Sequence, residues 1–131
     1  MEHTPAESLN WEEAPSENFT GRAWFGALSQ AEDRPLNALG VLFEPKARTD
    51  WHTHPEGQVL YVVSGAGRVQ TAEGETIEVG PGDVVHTPAG EEHWHGAAPS
   101  SYMMHLSLTT GGATEWKPRK VTDQDYSRGL D

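Results

Sequence analysis

The stretch His52-Thr53-His54-Pro55-Glu56-Gly57-Gln58 decides how this chain is read. On a strand, side chains alternate between faces, so histidines two residues apart aim their imidazoles the same way. Pro55 and Gly57 are turn residues. They let the chain bend so that Gln58, four residues past His54, offers its amide oxygen to the same point. Further on, His93 stands in Pro88-Ala-Gly90-Glu-Glu-His93-Trp94-His95. Three imidazoles and one amide oxygen, from His52, His54, His93 and Gln58, form a ligand set for a divalent transition metal.

Outward from these residues the chain reads as all-β. Strand-like runs recur at short intervals: Asp50–His54, Gln58–Ser64, Ala66–Thr71, Thr76–Val79, Asp83–Thr87, His93–Ala97 and Tyr102–Leu108. Gly and Pro punctuate them at Pro55/Gly57, Gly65, Gly74, Gly80-Pro-Gly82, Pro88/Gly90 and Pro99. Short strands with such turns indicate a sandwich or barrel. Earlier in the chain, Phe19–Leu28 reads as a first strand, Ser29–Leu36 as a loop and Asn37–Phe43 as a buried strand. We expect an N-terminal arm over 1–18, a barrel over 19–114 and a tail over 115–131. In the tail, Thr122-Asp-Gln-Asp125 resembles a capping box and predicts one helical turn through Ser127.

Composition narrows the function. A chain of 131 residues forms one domain. It has no cysteine, which excludes disulfides, iron–sulfur clusters and thiol catalysis. Twenty acids against nine bases give a net charge of −11, which argues against nucleic acid or anionic lipid as a partner. No apolar run is long enough for a membrane span, and the N-terminus lacks a secretory pattern. A cytoplasmic location is the expectation.

The paired motifs resemble the cupin superfamily, which implies a small jelly-roll β-barrel. The first cupin motif appears as His52-x-His54, three residues, Gln58, six residues, Gly65. The second appears as Gly82, five residues, Pro88-x-Gly90, two residues, His93, three residues, Ala97. Three positions depart from the pattern: Lys46 replaces a Gly, Gln58 a Glu and Ala97 an Asn. The runs Phe43-Glu-Pro-x-Ala-Arg48-Thr-x-Trp51-His52 and Glu92-His93-Trp94-His95-Gly-Ala-Ala-Pro99, with Met104-His105-Leu and Val121-Thr-Asp-Gln-Asp-Tyr126, are similar to a bacterial subgroup of single-domain cupins. That subgroup includes the manganese-dependent hydroxynitrile lyases. The resemblance implies a homodimer or higher homo-oligomer and a metal that is manganese first, with iron(II), nickel and zinc as alternatives.

Gln58 carries a chemical consequence. With only neutral donors the metal keeps close to its full +2 charge, whereas a Glu would leave about +1. A more positive metal is a stronger Lewis acid. His95 has the same strand parity as His93, and His105 shares a face with Met103 and Ser107. Either histidine is a candidate to move a proton beside the metal; the alternative for each is a satisfied interior histidine. His86 reads as a core or channel residue. Trp51 and Trp94 flank ligands and, by alternation, pack behind them. Parity nominates Leu39, Val41, Leu60, Val62 and Met103 as an apolar pocket wall, suited to a small, weakly polar substrate. Arg48 reads as a surface or ion-pair residue, and Arg68 stays open.

Three functions follow as expectations. The first is a redox-neutral metal lyase of hydroxynitrile-lyase type, acting on cyanohydrins and aldehydes. The second is an iron- or nickel-dependent dioxygenase, which Gln58 disfavours because those enzymes usually keep a carboxylate or more histidines. The third is a non-catalytic metal- or ligand-binding barrel.

Overall fold

The computed structural model of the protein describes residues 1–29 and 35–128. Most of the expected 29–36 loop lies outside them. The elements, in order, are β1 (Trp11–Glu13), β2 (Phe19–Thr20), β3 (Ala23–Ser29), β4 (Asn37–Phe43), β5 (Arg48–Thr49), β6 (His52–Thr53) and β7 (Gln58–Gly65). They continue with β8 (Gly67–Thr71), β9 (Thr76–Val79), β10 (Val84–Thr87), β11 (His93–Ala97), β12 (Met103–Thr109), β13 (Glu115–Trp116) and α1 (Asp123–Tyr126). One antiparallel sheet runs β1-β3-β4-β12-β7-β10; a second runs β13-β6-β11-β5-β2, with β8 on β11 and β9 on β8.

Both sheets feed one apolar core. Val41, Phe43, Leu60, Val62, Val85 and Met103 come from the first sheet, and Val69, Val79 and Ala97 from the second. Strand β7 shows the period-two logic: Gln58, Leu60 and Val62 are buried while Tyr61 and Val63 are exposed.

The expected first strand, Phe19–Leu28, is two strands. Gly21 divides them at φ 78°, and a Cβ there would lie 2.9 Å from the Cα of Ala47. Only glycine satisfies both the angle and the approach. The segment read as an arm contributes β1, paired with β3 at the sheet edge. Lys46, which stands where the motif has Gly, keeps the glycine conformation at φ 71°. A left-handed backbone at a non-glycine residue carries a conformational cost of roughly 1–2 kcal/mol.

Strand β11 is buried along its whole length, so its outward face is covered as well. The cover is the C-terminal tail. Trp94 donates from Nε1 to Gln70 Oε1 at 2.7 Å, and its ring lies 5.6 Å from that of Tyr126. Tyr126 Oη donates to the Ala97 carbonyl at 2.5 Å. Trp51, Trp94, Val121 and Tyr126 form a second core behind the histidine strands, as alternation predicted for the two tryptophans. Two buried arginines fix the tail. Arg48 reaches the Val121 carbonyl at 2.8 Å and Asp123 at 2.9 Å, and Arg68 donates to the carbonyls of Tyr126 and Arg128. Arg48 is thus ion-paired as expected, but buried. Thr122 caps α1 by accepting from the Asp125 amide at 3.1 Å, the contact a capping box requires.

Candidate metal centre and acid–base pair

Strands β6 and β11 pair with His52 directly opposite His93, and the two rings lie 4.4 Å apart. Each ring is held by a carbonyl two residues upstream. His52 Nδ1 lies 2.8 Å from the Asp50 carbonyl and His93 Nδ1 lies 2.9 Å from that of Glu91. A carbonyl can only accept, so Nδ1 carries the proton and Nε2 is a bare lone pair.

Gln58 completes this corner. Its amide nitrogen donates to Ser107 Oγ at 2.8 Å, which turns Oε1 inward to 3.1 Å from His93 Nε2. Two acceptors then face each other in a buried site with no proton between them. Such a contact is unfavourable alone and is relieved by a cation. His54 lies just past the end of β6, with Nδ1 3.4 Å from Thr114 Oγ1 and Nε2 buried without a hydrogen-bond partner. An orphaned buried nitrogen, a bare Nε2 on each of two anchored rings and an inward amide oxygen together have the donor chemistry of a divalent-metal site.

His52, His93 and His95 each offer a ring nitrogen within 4.8 Å of the others. The ring of His54 is as near as that of His95: it lies 5.0 Å from His52 and 5.6 Å from His93, against 5.1 Å and 5.7 Å for His95.

His95 and His105 form a second unit. Nδ1 of His95 and Nε2 of His105 are 2.9 Å apart, so a single proton bridges them. His105 sits where the β12–β7 register shifts, a bulge of the kind that re-aims a side chain. The ring of Phe43 packs against both, 6.0 Å from His95 and 5.2 Å from His105. The outer nitrogens, His95 Nε2 and His105 Nδ1, are buried without partners.

Burial lowers the pKa of all five histidines. His105 and His54 fall to about 4, both chiefly by burial, and for His54 the neighbouring His93 adds to the fall. His93 is lowered by burial, against the Glu91 carbonyl. His52 and His95 lie well below their ordinary value, again by burial first, then by His93 for the one and His105 for the other. The cluster is neutral at pH 7, the state in which imidazoles bind metal or accept a proton.

A cavity of about 70 Å³ opens on this corner. His52, His54, Gln58, His95 and Thr49 form its polar side; Leu39, Val41, Phe43, Phe19, Trp116 and Thr114 form the rest. Leu39 and Val41 therefore stand where parity put them. Leu60, Val62 and Met103 do not line the cavity and pack in the core instead. Parity gives the face of a strand and not the height along the barrel. His86 is not a core residue: β10 is an edge strand, its inward positions are Val85 and Thr87, and His86 is exposed. Sequence reasoning missed Phe43, although it shares parity with Leu39 and Val41. It also missed Phe19 and Trp116, which no local pattern connects to the site. Larger recesses exist, one of about 290 Å³ lined by Lys46, Arg48, Pro99, Asp123, Tyr126 and Ser127, which gathers no histidine.

Comparison with known proteins agrees with this architecture. The family model described as "Cupin domain" matches residues 41–109. The chain is 48% identical over 118 residues to an (R)-mandelonitrile lyase of Granulicella tundricola, covering 87% of this chain and 89% of that protein. Among solved structures, a cupin-like protein of Thermotoga maritima superposes with a TM-score of 0.85 at 37% identity, over 88% of this chain and 90% of the other. The polyketide cyclase RemF of Streptomyces resistomycificus shares the fold at 20% identity and a TM-score of 0.76, over 97% of this chain and 91% of that one. With a matched domain over more than half its length, and with its histidines on adjoining strands of the barrel, this chain belongs to the cupin family.

Proposed function

We propose that the protein is a redox-neutral carbon–carbon lyase that cleaves a cyanohydrin to an aldehyde and hydrogen cyanide and runs the reverse addition. One observation carries the reading: a neutral metal-type corner and a proton-sharing histidine pair adjoin a single, mostly apolar cavity. The sequence similarity to a protein named as a mandelonitrile lyase supports it. His52, His54, Gln58 and His93 would hold the metal. When bound, the metal supplies a positive charge that stabilises developing negative charge on the substrate oxygen. We assign manganese(II) by resemblance; the donor set also suits iron(II), nickel(II) and zinc(II).

The remaining work falls to His95 and His105. With the shared proton on His95 Nδ1, Nε2 of His95 is a base facing the cavity. It takes the cyanohydrin hydroxyl proton as the carbon–carbon bond breaks, the electron pair leaves with the cyanide carbon, and the aldehyde forms. His105 accepts the hydrogen bond from the His95 imidazolium and stabilises it. The same proton returned from His95 to cyanide gives HCN, so atoms and charge balance with no oxidant. Leu39, Val41 and Phe43 exclude water and hold the apolar substituent.

The test is metal analysis coupled to a benzaldehyde-plus-cyanide assay under nitrogen. The expected result is near-stoichiometric metal and turnover that persists without oxygen, with both metal and turnover reduced in Gln58→Ala. Absence of bound metal, or turnover that requires oxygen, overturns the proposal.

A further inference from the structure

We infer that Phe19 and Trp116 form a displaceable aromatic gate that sets the protein's preference for an aryl substituent, a specificity role for two residues outside the matched domain. The inference rests on the cyanohydrin reading for its reaction but not for its ligand class.

The rings form a continuous path. Phe43 lies 6.1 Å from Phe19, Phe19 5.9 Å from Trp116, and Trp116 4.8 Å from His52. Neighbouring rings along the path are tilted at 40–54° to one another, and all four residues line the cavity. Aromatic rings at these separations prefer offset or edge-on partners, and a further ring inserted among them gains that geometry as well as area.

Two observations make these residues the movable wall. The cavity, at about 70 Å³, is small beside the roughly 300–1,000 Å³ of sites for drug-sized ligands, so an aryl carbonyl compound must displace something. Leu39, Val41 and Phe43 belong to the seven-residue β4, paired on both edges, and cannot yield cheaply. Phe19 and Trp116 belong to β2 and β13, each two residues long, each at an end of its sheet and each only partly buried. Short edge pairings of this kind open at low cost. Admission of a flat ring therefore goes through the gate, and the gate's faces then cover it.

The test separates binding from turnover. Binding of benzyl alcohol and of 1-propanol, neither of which reacts, is measured by ligand-observed NMR on the wild type and on Trp116→Ala, Trp116→Phe and Phe19→Ala. Metal content and thermal midpoint are recorded for each. The wild type should prefer benzyl alcohol by about tenfold. Trp116→Ala and Phe19→Ala should each lose about threefold or more of that preference, while Trp116→Phe keeps most of it. If Trp116→Ala fails to fold, Phe19→Ala decides. An unchanged preference in Phe19→Ala and, where it folds, in Trp116→Ala, or no aryl preference in the wild type, overturns the inference. Loss of the cyanohydrin reaction with the binding pattern intact would sink the lyase reading and leave the gate standing.

Discussion

Four of the five clustered histidines divide into two kinds that differ in what the second ring nitrogen touches. His52 and His93 each give Nδ1–H to a backbone carbonyl two residues upstream. A carbonyl never donates, so these tautomers are fixed and each Nε2 is a permanent lone pair. His95 and His105 give their second nitrogen to each other. Either partner can donate, so the tautomer is free to change. Under the proposed reaction, equally buried residues of one type would take different work, holding a cation or moving a proton. The distinction would be made by the backbone in one case and by a side chain in the other.

The largest effect should follow from removing an anchored ring. His52→Ala and His93→Ala should weaken metal binding by more than the roughly 10–100-fold that loss of a supporting partner costs, and abolish turnover with it. Metal titration of the purified variants checks this. If either variant binds metal as the wild type does, the anchored pair is not the holding pair.

Changing the free pair should give a different signature. His95→Asn and His105→Phe should lower turnover by roughly 10²–10⁴-fold, the usual worth of a positioned acid or base, while metal content stays near the wild-type level. The result for His95 matters most, because its ring nitrogen also groups closely with those of His52 and His93. Loss of metal in His95→Asn would move His95 to the holding set and leave His105 as the proton carrier.

Acid tests the burial of the free pair through stability. His105 falls from its ordinary 6.5 to about 4 in the fold, by burial. Below pH 6.5 the unfolded chain takes up a proton that the folded chain refuses, so unfolding is favoured increasingly as pH drops. His105 contributes fully above pH 6.5, and its contribution is lost between 6.5 and about 4, on the order of 3 kcal/mol. Urea midpoints of chelator-treated protein should decline across that window. The decline should be shallower in His105→Phe. An equal slope in both proteins would show that His105 does not remain neutral in the fold.

Much of this arrangement was legible in the chain itself. Period-two alternation placed His52, His93 and His95 on interior faces and Trp51 and Trp94 behind them, and Gly/Pro punctuation located most of the strands. What stayed illegible depends on position along the barrel and on distant chain ends. Leu60, Val62 and Met103 have the right face but the wrong height. His86 was misread because nothing local says that β10 is an edge. Phe19 and Trp116 reach the cavity from segments nearly a hundred residues apart, through two-residue pairings that carry no periodic signal. The His95–His105 contact needs a bulge in β12, which the sequence does not announce.

The smallest effect should come from a group that touches both pairs. Thr49 Oγ1 accepts from the His95 backbone amide at 3.3 Å and lies 3.4 Å from His52 Nδ1, whose main partner remains the Asp50 carbonyl at 2.8 Å. Thr49→Val keeps the shape and removes the oxygen. His52 still has its carbonyl, so metal affinity should change by no more than a few-fold. His95 loses an acceptor for a buried amide, which costs about 1–2 kcal/mol of stability. Turnover should therefore fall without metal loss, and denaturation and metal titration on the one variant measure both. A large loss of metal instead would mean that Thr49, and not the Asp50 carbonyl, fixes the His52 tautomer, and that the anchored pair is anchored less securely than its 2.8 Å contact implies.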